Sequence, residues 1–195
     1  MAIDSRLITQ STVYSQNQLE HKVATQCPQL FLLDDFLLPE LLEKTLDYLQ
    51  DSDLDWATVL YQESLPRYKI EWAADTVVEE LHCVMESLTT TVDKIYGKKT
   101  KFNGINIWKD VYPYTLPLHE DNFRVSTAIQ IYLTSGPEDL CTTFDYQGQF
   151  IKSQYKINQG YLFDNSQRTQ HGLLSTVPQN HERLSLYATW ADDND

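Results

Sequence analysis

FNGINIWKDVY, residues 102–112, is where the chain changes period. Before it, Val77, Leu81, Val84, Met85, Leu88, Val92 and Ile95 recur at steps of three and four, the spacing of one helical face. From Phe102 onward that spacing is gone. Short alternating or apolar runs take over: FRVSTAIQIYL at 123–133, CTTFDYQGQFIKSQY at 141–155, QGYLFDN at 159–165 and RLSLYATW at 183–190. Helices first and many short strands afterwards predict an α+β protein, a sandwich or jelly roll of sheets braced on its outside by N-terminal helices.

Local signals fill in this frame. A short apolar strand is predicted over residues 31–33, then a helix opening near Pro39, because proline is tolerated in a first turn. Leu38, Leu42, Leu46 and Leu49 form its buried stripe. Thr76 and Glu79 fit a capping box at the start of the next helix, and Gly97 fits a C-terminal cap. Gly148 in DYQGQF marks a hairpin turn. Residues 1–26, rich in Ser, Thr and Gln, read as an extension without a sustained period. At 195 residues the chain reads as a single domain, 1–195, with strand and helices over 27–100 and the β core over 101–190.

A formal net charge of −13 argues against a phosphate-backbone partner, so no nucleic acid is expected. The only basic cluster, GKKTK at 97–101, follows a helix whose C-terminal carbonyls favour cations. Cys27, Cys83 and Cys141 are widely spaced, with no CxxC and no secretory apolar segment, so buried thiols in a reduced, cytoplasmic protein are expected. No apolar run reaches the roughly 18 residues of a membrane helix.

Of the five histidines, only His119 has a carboxylate two residues on, at Asp121. In extended chain, residues i and i+2 face one way, so His119 and Asp121 converge while Glu120 turns aside. A third metal ligand must come from elsewhere. His21 lies in the extension, His82 on the helix and His181 in the polar stretch PQNHER, expected to be exposed. His171 sits between two β runs, next to Gly172, where backbone can approach closely. Two imidazoles and one carboxylate on one face of an octahedral ion leave three open positions, the pattern of non-haem Fe(II) oxygenases. Catalytic zinc can use the same donors.

Arg183 bears on that choice. Period 2 puts Arg183, Ser185, Tyr187 and Thr189 on one face of a strand and Leu184, Leu186, Ala188 and Trp190 on the other. A guanidinium with a hydroxyl two residues on suits a bound carboxylate, which arginine grips with two parallel hydrogen bonds.

Together these residues resemble the Fe(II)- and 2-oxoglutarate-dependent dioxygenases, and the prolyl-hydroxylase-like branch in particular. That pattern is HxD, a distal His some tens of residues on, then Arg or Lys on the last core strand. Here it is matched by His119 and Asp121, His171, and Arg183 followed by Ser185, with DDFL at Asp34 as a weaker match to the domain entry. The resemblance implies a double-stranded β-helix (jelly roll). It also implies Fe(II) on His119, Asp121 and His171, 2-oxoglutarate on Arg183 and Ser185 with Tyr112 nearby, and O2 as oxidant. The implied activity is oxidative decarboxylation of 2-oxoglutarate coupled to hydroxylation of an amino-acid, peptide or small-metabolite substrate, since Asp121 stands where related halogenases carry a small residue. The glycine usual between the tyrosine and HxD is absent, and EDLCTTF replaces a common glycine- and glutamate-containing stretch. A jelly-roll binding module without turnover and a zinc-dependent hydrolase are the alternatives. Trp56, Tyr61, Tyr68 and Trp72, in a lid-like segment, are candidates to face substrate, and Arg124 and Arg168 to meet an acidic group on it.

Overall fold

The computed structural model describes residues 29–193 except 52, 62–64, 71–72, 123 and 166–168. The extension with His21 and Cys27, and likewise Trp72, Phe123 and Arg168, lie outside the described residues.

Eleven strands in the described residues form two antiparallel sheets. In chain order they are β1 (Leu30–Leu33), β2 (Ala57–Tyr61), β3 (Leu65–Ile70), β4 (Thr100–Asp110), β5 (Leu116–His119), β6 (Thr127–Tyr132), β7 (Thr143–Tyr146), β8 (Gln149–Lys152), β9 (Gly160–Asp164), β10 (Gln170–Leu173) and β11 (Arg183–Asp192). The larger sheet runs β1-β9-β6-β11-β4-β3-β2 and the smaller β5-β10-β7-β8. This is the expected α+β jelly roll.

The alternation read from sequence becomes two cores on the two faces of the larger sheet. On β6, Ile129 and Ile131 join a cluster with the helices, while Ala128 and Tyr132 join one shared with the smaller sheet. All six β6 residues are buried, as a central strand covered on both faces requires. β11 divides in the predicted way: Leu186, Ala188 and Trp190 pack toward the helices, and Arg183 and Ser185 are buried on the other face. Gln147 (φ 54) and Gly148 (φ 83) both have positive φ between β7 and β8, as a primed hairpin turn requires.

The helices differ in detail from expectation. α1 (Pro39–Leu49) opens on its proline, and its most buried residues are Leu41 and Thr45, with Leu42, Leu46 and Leu49 only partly covered. The long helix predicted from Val77 to Ile95 is two, α2 (Val77–Ser87) and α3 (Thr89–Tyr96), although their apolar stripe continues through Leu88. Ser87 Oγ donates to Val84 O (2.6 Å) and Thr89 Oγ1 to Glu86 O (2.7 Å), so side-chain hydroxyls compete with the backbone ladder at the junction. Thr76 does cap α2, accepting from Val78 N, while Glu79 accepts from Asp75 N and not from Thr76 N. Gly97 ends α3 in the left-handed region.

The lid-like segment forms the β2–β3 hairpin, which extends the larger sheet. Trp56 and Tyr68 lie around Lys109, whose ammonium is 4.3 and 5.5 Å from their rings. Lys109 shares the face of β4 that carries the buried Ile105 and Ile107, so both aromatics pack on the helix side of the sheet, away from the interior.

Candidate metal centre

β5 and β10 pair antiparallel with His119 directly opposite His171, and His171 is also opposite Phe144 of β7. Direct cross-strand partners project to the same face, so the ladder itself brings the imidazoles together, with ring centroids 4.6 Å apart. The ladder shifts between His171 and Leu173, where Gly172 meets β5 so closely that a Cβ on it would stand 2.8 Å from Pro117 O. Asp121 follows β5 and reaches back to both rings. Its Oδ1 is 3.6 Å from His119 Nε2 and 3.7 Å from His171 Nε2. Glu120 is exposed.

One donor atom from each of His119, Asp121 and His171 lies within 4.8 Å of the others. Ligands about 2.1 Å from an ion and at right angles are about 3 Å apart, so the triad needs only a small contraction to close on one. Each donor is oriented from behind. His119 Nδ1 is 3.1 Å from Pro117 O and His171 Nδ1 3.5 Å from Thr169 O, which turns both Nε2 lone pairs toward Asp121. Tyr187 donates its hydroxyl to Asp121 Oδ2 at 2.6 Å, leaving Oδ1 for an ion. Asn165 ties the loop after β5 to the larger sheet: its Oδ1 accepts from Asp121 N (3.2 Å) and its Nδ2 donates to Val125 O (2.7 Å).

The protonation states follow from these contacts. Burial holds His171 neutral down to about 4, with the charge of His119 adding to it and Asp121 opposing it. Burial works against a charged His119 too, but its hydrogen bond to Asp121, the Pro117 carbonyl and the Asp121 charge outweigh it and raise its pKa. For Asp121, burial is outweighed by His119, His171 and the Tyr187 hydroxyl, and its pKa falls below the usual carboxylate value.

A cavity of about 210 Å³ opens beside the triad. That is below the roughly 300–1,000 Å³ of drug-sized sites and suits a small ligand. Its walls include Val59, Arg67, Trp108, Gln130, Tyr161 and Arg183. Arg183, 2% exposed, is held on three sides: Nε donates to Leu140 O (2.9 Å), one terminal nitrogen to Asp110 Oδ2 (2.8 Å) and the other to Thr142 Oγ1 (3.2 Å). Tyr161 donates to Gln130 Oε1 within the same wall. Ser185, on the same strand face as Arg183, is fully buried and its Oγ has no hydrogen-bond partner. Ser185 does not itself line the cavity; the buried Arg183 guanidinium that does line it fits a carboxylate ligand, and His, Asp and His fit a divalent metal of the iron–zinc group.

Not every sequence candidate comes here. Tyr112 is 48% exposed and does not line the cavity. The turn after β4, closed by Tyr114 N donating to Val111 O at 2.7 Å, leaves Tyr112 outside and carries Tyr114 into the core. Arg124 is exposed and lines no part of the cavity. His82 stacks edge-on against Phe102, and His181, half-buried rather than exposed, shares a hydrogen bond with Tyr155 (2.8 Å). Cys141 is a buried free thiol, and Cys83 is only half-buried. Sequence reasoning missed Arg67, Asp110, Gln130 and Tyr161. The alternation of β6 and β9 could have flagged the last two as polar groups on inward positions.

No family profile matches the sequence, and no curated protein matches it. Solved structures do. A Pseudomonas putida prolyl-4-hydroxylase superposes with a TM-score of 0.70 at 13% identity, over 92% of this chain and 100% of the other. The fold is that of the Fe(II)/2-oxoglutarate oxygenases. A Trichoplax adhaerens prolyl hydroxylase in complex with a hypoxia inducible factor peptide fragment matches with a TM-score of 0.62 at 12% identity, over 96% and 90% of the two chains. HygX from Streptomyces hygroscopicus, with nickel, 2-oxoglutarate and hygromycin B bound, matches at 0.63 and 10% identity, over 85% and 83%. In this oxygenase fold the triad sits at the end of the smaller sheet, and Arg183 opens the last strand of the larger one.

Proposed function

We propose that the protein is a single-domain non-haem Fe(II) oxygenase that couples oxidative decarboxylation of 2-oxoglutarate to hydroxylation of a C–H bond in an amino-acid, peptide or small-metabolite substrate. The observation that carries this reading is one cavity lined both by a His119–Asp121–His171 donor set and by the buried guanidinium of Arg183. When bound, iron with 2-oxoglutarate supplies the oxidising chemistry toward O2 and substrate.

The chain's own residues then have distinct tasks. His119 and His171 would hold the ion through Nε2, and Asp121 through Oδ1, its other oxygen kept in place by Tyr187. Arg183 would receive the carboxylate remote from the metal, with the unpaired Ser185 hydroxyl behind it on the same strand face. Leu116, Leu173, Val59 and Trp108 wall the cavity with apolar surface, which excludes water and strengthens the electrostatics inside. Asp121 as third ligand supports hydroxylation over halogenation. The free thiols of Cys83 and Cys141 support a reduced, cytoplasmic setting; no helix among the described residues is long and apolar enough to cross a membrane.

The test is anaerobic addition of Fe(II) and 2-oxoglutarate to the purified protein. A charge-transfer absorption band is expected, then O2-dependent succinate release with amino acids, peptides or metabolites as candidate substrates. Absence of the band and of 2-oxoglutarate consumption would refute the reading. Activity lost on zinc removal and indifferent to O2 would replace it with zinc hydrolysis.

A further inference from the structure

Arg183 does not meet the cavity as a lone cation. Asp110, at the end of β4 and fully buried, is paired in register with Arg183 of β11 on one side and Arg67 of β3 on the other. Its carboxylate takes both guanidinium groups. Arg183 donates to Oδ2 at 2.8 Å; Arg67 donates through Nε to Oδ1 at 2.5 Å and through a terminal nitrogen to Oδ2 at 3.1 Å. Arg183 and Asp110 alone cancel. Two guanidinium groups on one carboxylate leave the trio with one surplus positive charge, shared between Arg67 and Arg183.

Arg67 has further N–H groups to give. A guanidinium carries five, and Asp110 takes two of those on Arg67. The group is held between Trp108 and Tyr114, 4.8 and 4.4 Å from their ring centroids, and its side chain is 15% exposed on the cavity wall. A cation fixed in a low-dielectric wall without an equal anion is costly, and a ligand carboxylate removes that cost. The metal centre has the same surplus, since a divalent ion on Asp121 carries one net positive charge. The cavity thus presents two positive centres, one at each group, and a ligand with one carboxylate for each neutralises both.

We infer that Arg67, through its shared carboxylate Asp110, is the residue that makes this cavity selective for a doubly charged 2-oxo acid over singly charged ones. This rests on the reading proposed above and assigns the distal-charge preference to the β2–β3 hairpin as well as to the last strand. A 2-oxo acid of equal length without the distal carboxylate leaves the surplus charge of the trio uncompensated and gains nothing from it. Arg67 is a specificity residue here; iron binding itself does not depend on it.

The experiment compares wild type, Arg67→Gln and Arg67→Lys, each loaded anaerobically with Fe(II) and titrated with 2-oxoglutarate and with 2-oxopentanoate. The charge-transfer band reports binding, and circular dichroism melts report folding. A hydrogen bond to a charged group predicts that Arg67→Gln weakens 2-oxoglutarate about 10- to 100-fold. The same change should leave 2-oxopentanoate within about threefold, and Arg67→Lys, which keeps the charge, should recover part of the loss. Unchanged 2-oxoglutarate affinity in a folded Arg67→Gln protein overturns the inference and would assign Arg67 to the primary substrate. Equal loss for both acids overturns it as well, because it marks a structural role. Wild type that binds Fe(II) yet gives no band with either acid refutes the proposed function itself, an outcome distinct from both.

Discussion

Tyr187→Phe removes a single oxygen from the metal centre. The Tyr187 hydroxyl donates to Asp121 Oδ2 at 2.6 Å and lies on the same strand face as Arg183 and Ser185. Burial, and then the charge of Asp121, push its own ionisation well above the ordinary tyrosine value, so it acts only as a donor at neutral pH. Losing a hydrogen bond to a charged carboxylate costs about 1.5–3 kcal/mol. Loss of a residue that orients a ligand typically lowers metal affinity about 10- to 100-fold. Both scales agree on a Kd raised by one to two orders of magnitude. The ring keeps its size, so the core packing survives, and the melting temperature of the metal-free protein should fall only by the few degrees that one lost hydrogen bond costs. Competition titration of Mn(II) or Fe(II) against a chelating dye measures the shift. An affinity within about twofold of wild type, in a protein that melts normally, would sink the claim that Tyr187 positions Asp121.

Acidity should act through His119. Its pKa is raised while that of His171 is lowered to about 4, so between those two values an incoming ion displaces one proton, from His119. Affinity should fall about tenfold per pH unit below the His119 pKa and level off above it; calorimetry at pH 5.5 in buffers of different ionisation heat should count close to one proton released, and a count near zero would contradict this. Gly172→Ala puts a Cβ against Leu116 O and 2.8 Å from Pro117 O, overpacking the β5–β10 ladder by about 1–3 kcal/mol, or roughly 2–4 °C in Tm per kcal/mol. An unchanged melt would show that β5 yields freely. Asp110→Asn strands the buried guanidinium of Arg183 and the half-buried one of Arg67 and should cost about 3–5 kcal/mol by urea unfolding, while Lys44→Ala, which breaks an exposed pair with Glu80, should cost less than about 1 kcal/mol.

Much of this architecture is legible wherever one physical signal decides it. Period 2 alone sorts β11 into Arg183 and Ser185 on one side and Leu186, Ala188 and Trp190 on the other, because the strand is covered on both faces. It also separates His119 and Asp121 from Glu120. The signal fails where a local interaction overrides the period. The stripe through Leu88 runs on unbroken while the hydroxyls of Ser87 and Thr89 end one helix and begin another. At Tyr112 a turn changes which of two nearby tyrosines enters the core, and alternation cannot be carried across a turn. Arg67 and Asp110 are invisible for a further reason. Each looks like an ordinary strand charge, and only the pairing of β3, β4 and β11 in one sheet makes them partners.

The cross-strand pairing of His119 with His171 also bears on how an ion would leave. β5 is four residues long and lies at the edge of its sheet, hydrogen-bonded to β10 alone. An ion held by both histidines straddles the seam between that edge and its neighbour, so coordination bonds clasp two strands as well as a metal. Short edge strands are the parts of a sheet that open most readily. Release of the ion and fraying of β5 then become one event, and the lifetime of the loaded state is set by a backbone seam more than by the width of the cavity mouth. Backbone amides of Leu116, Leu118 and His119 should exchange with solvent at the pace of metal loss when the ion is present, and much faster once it has been removed.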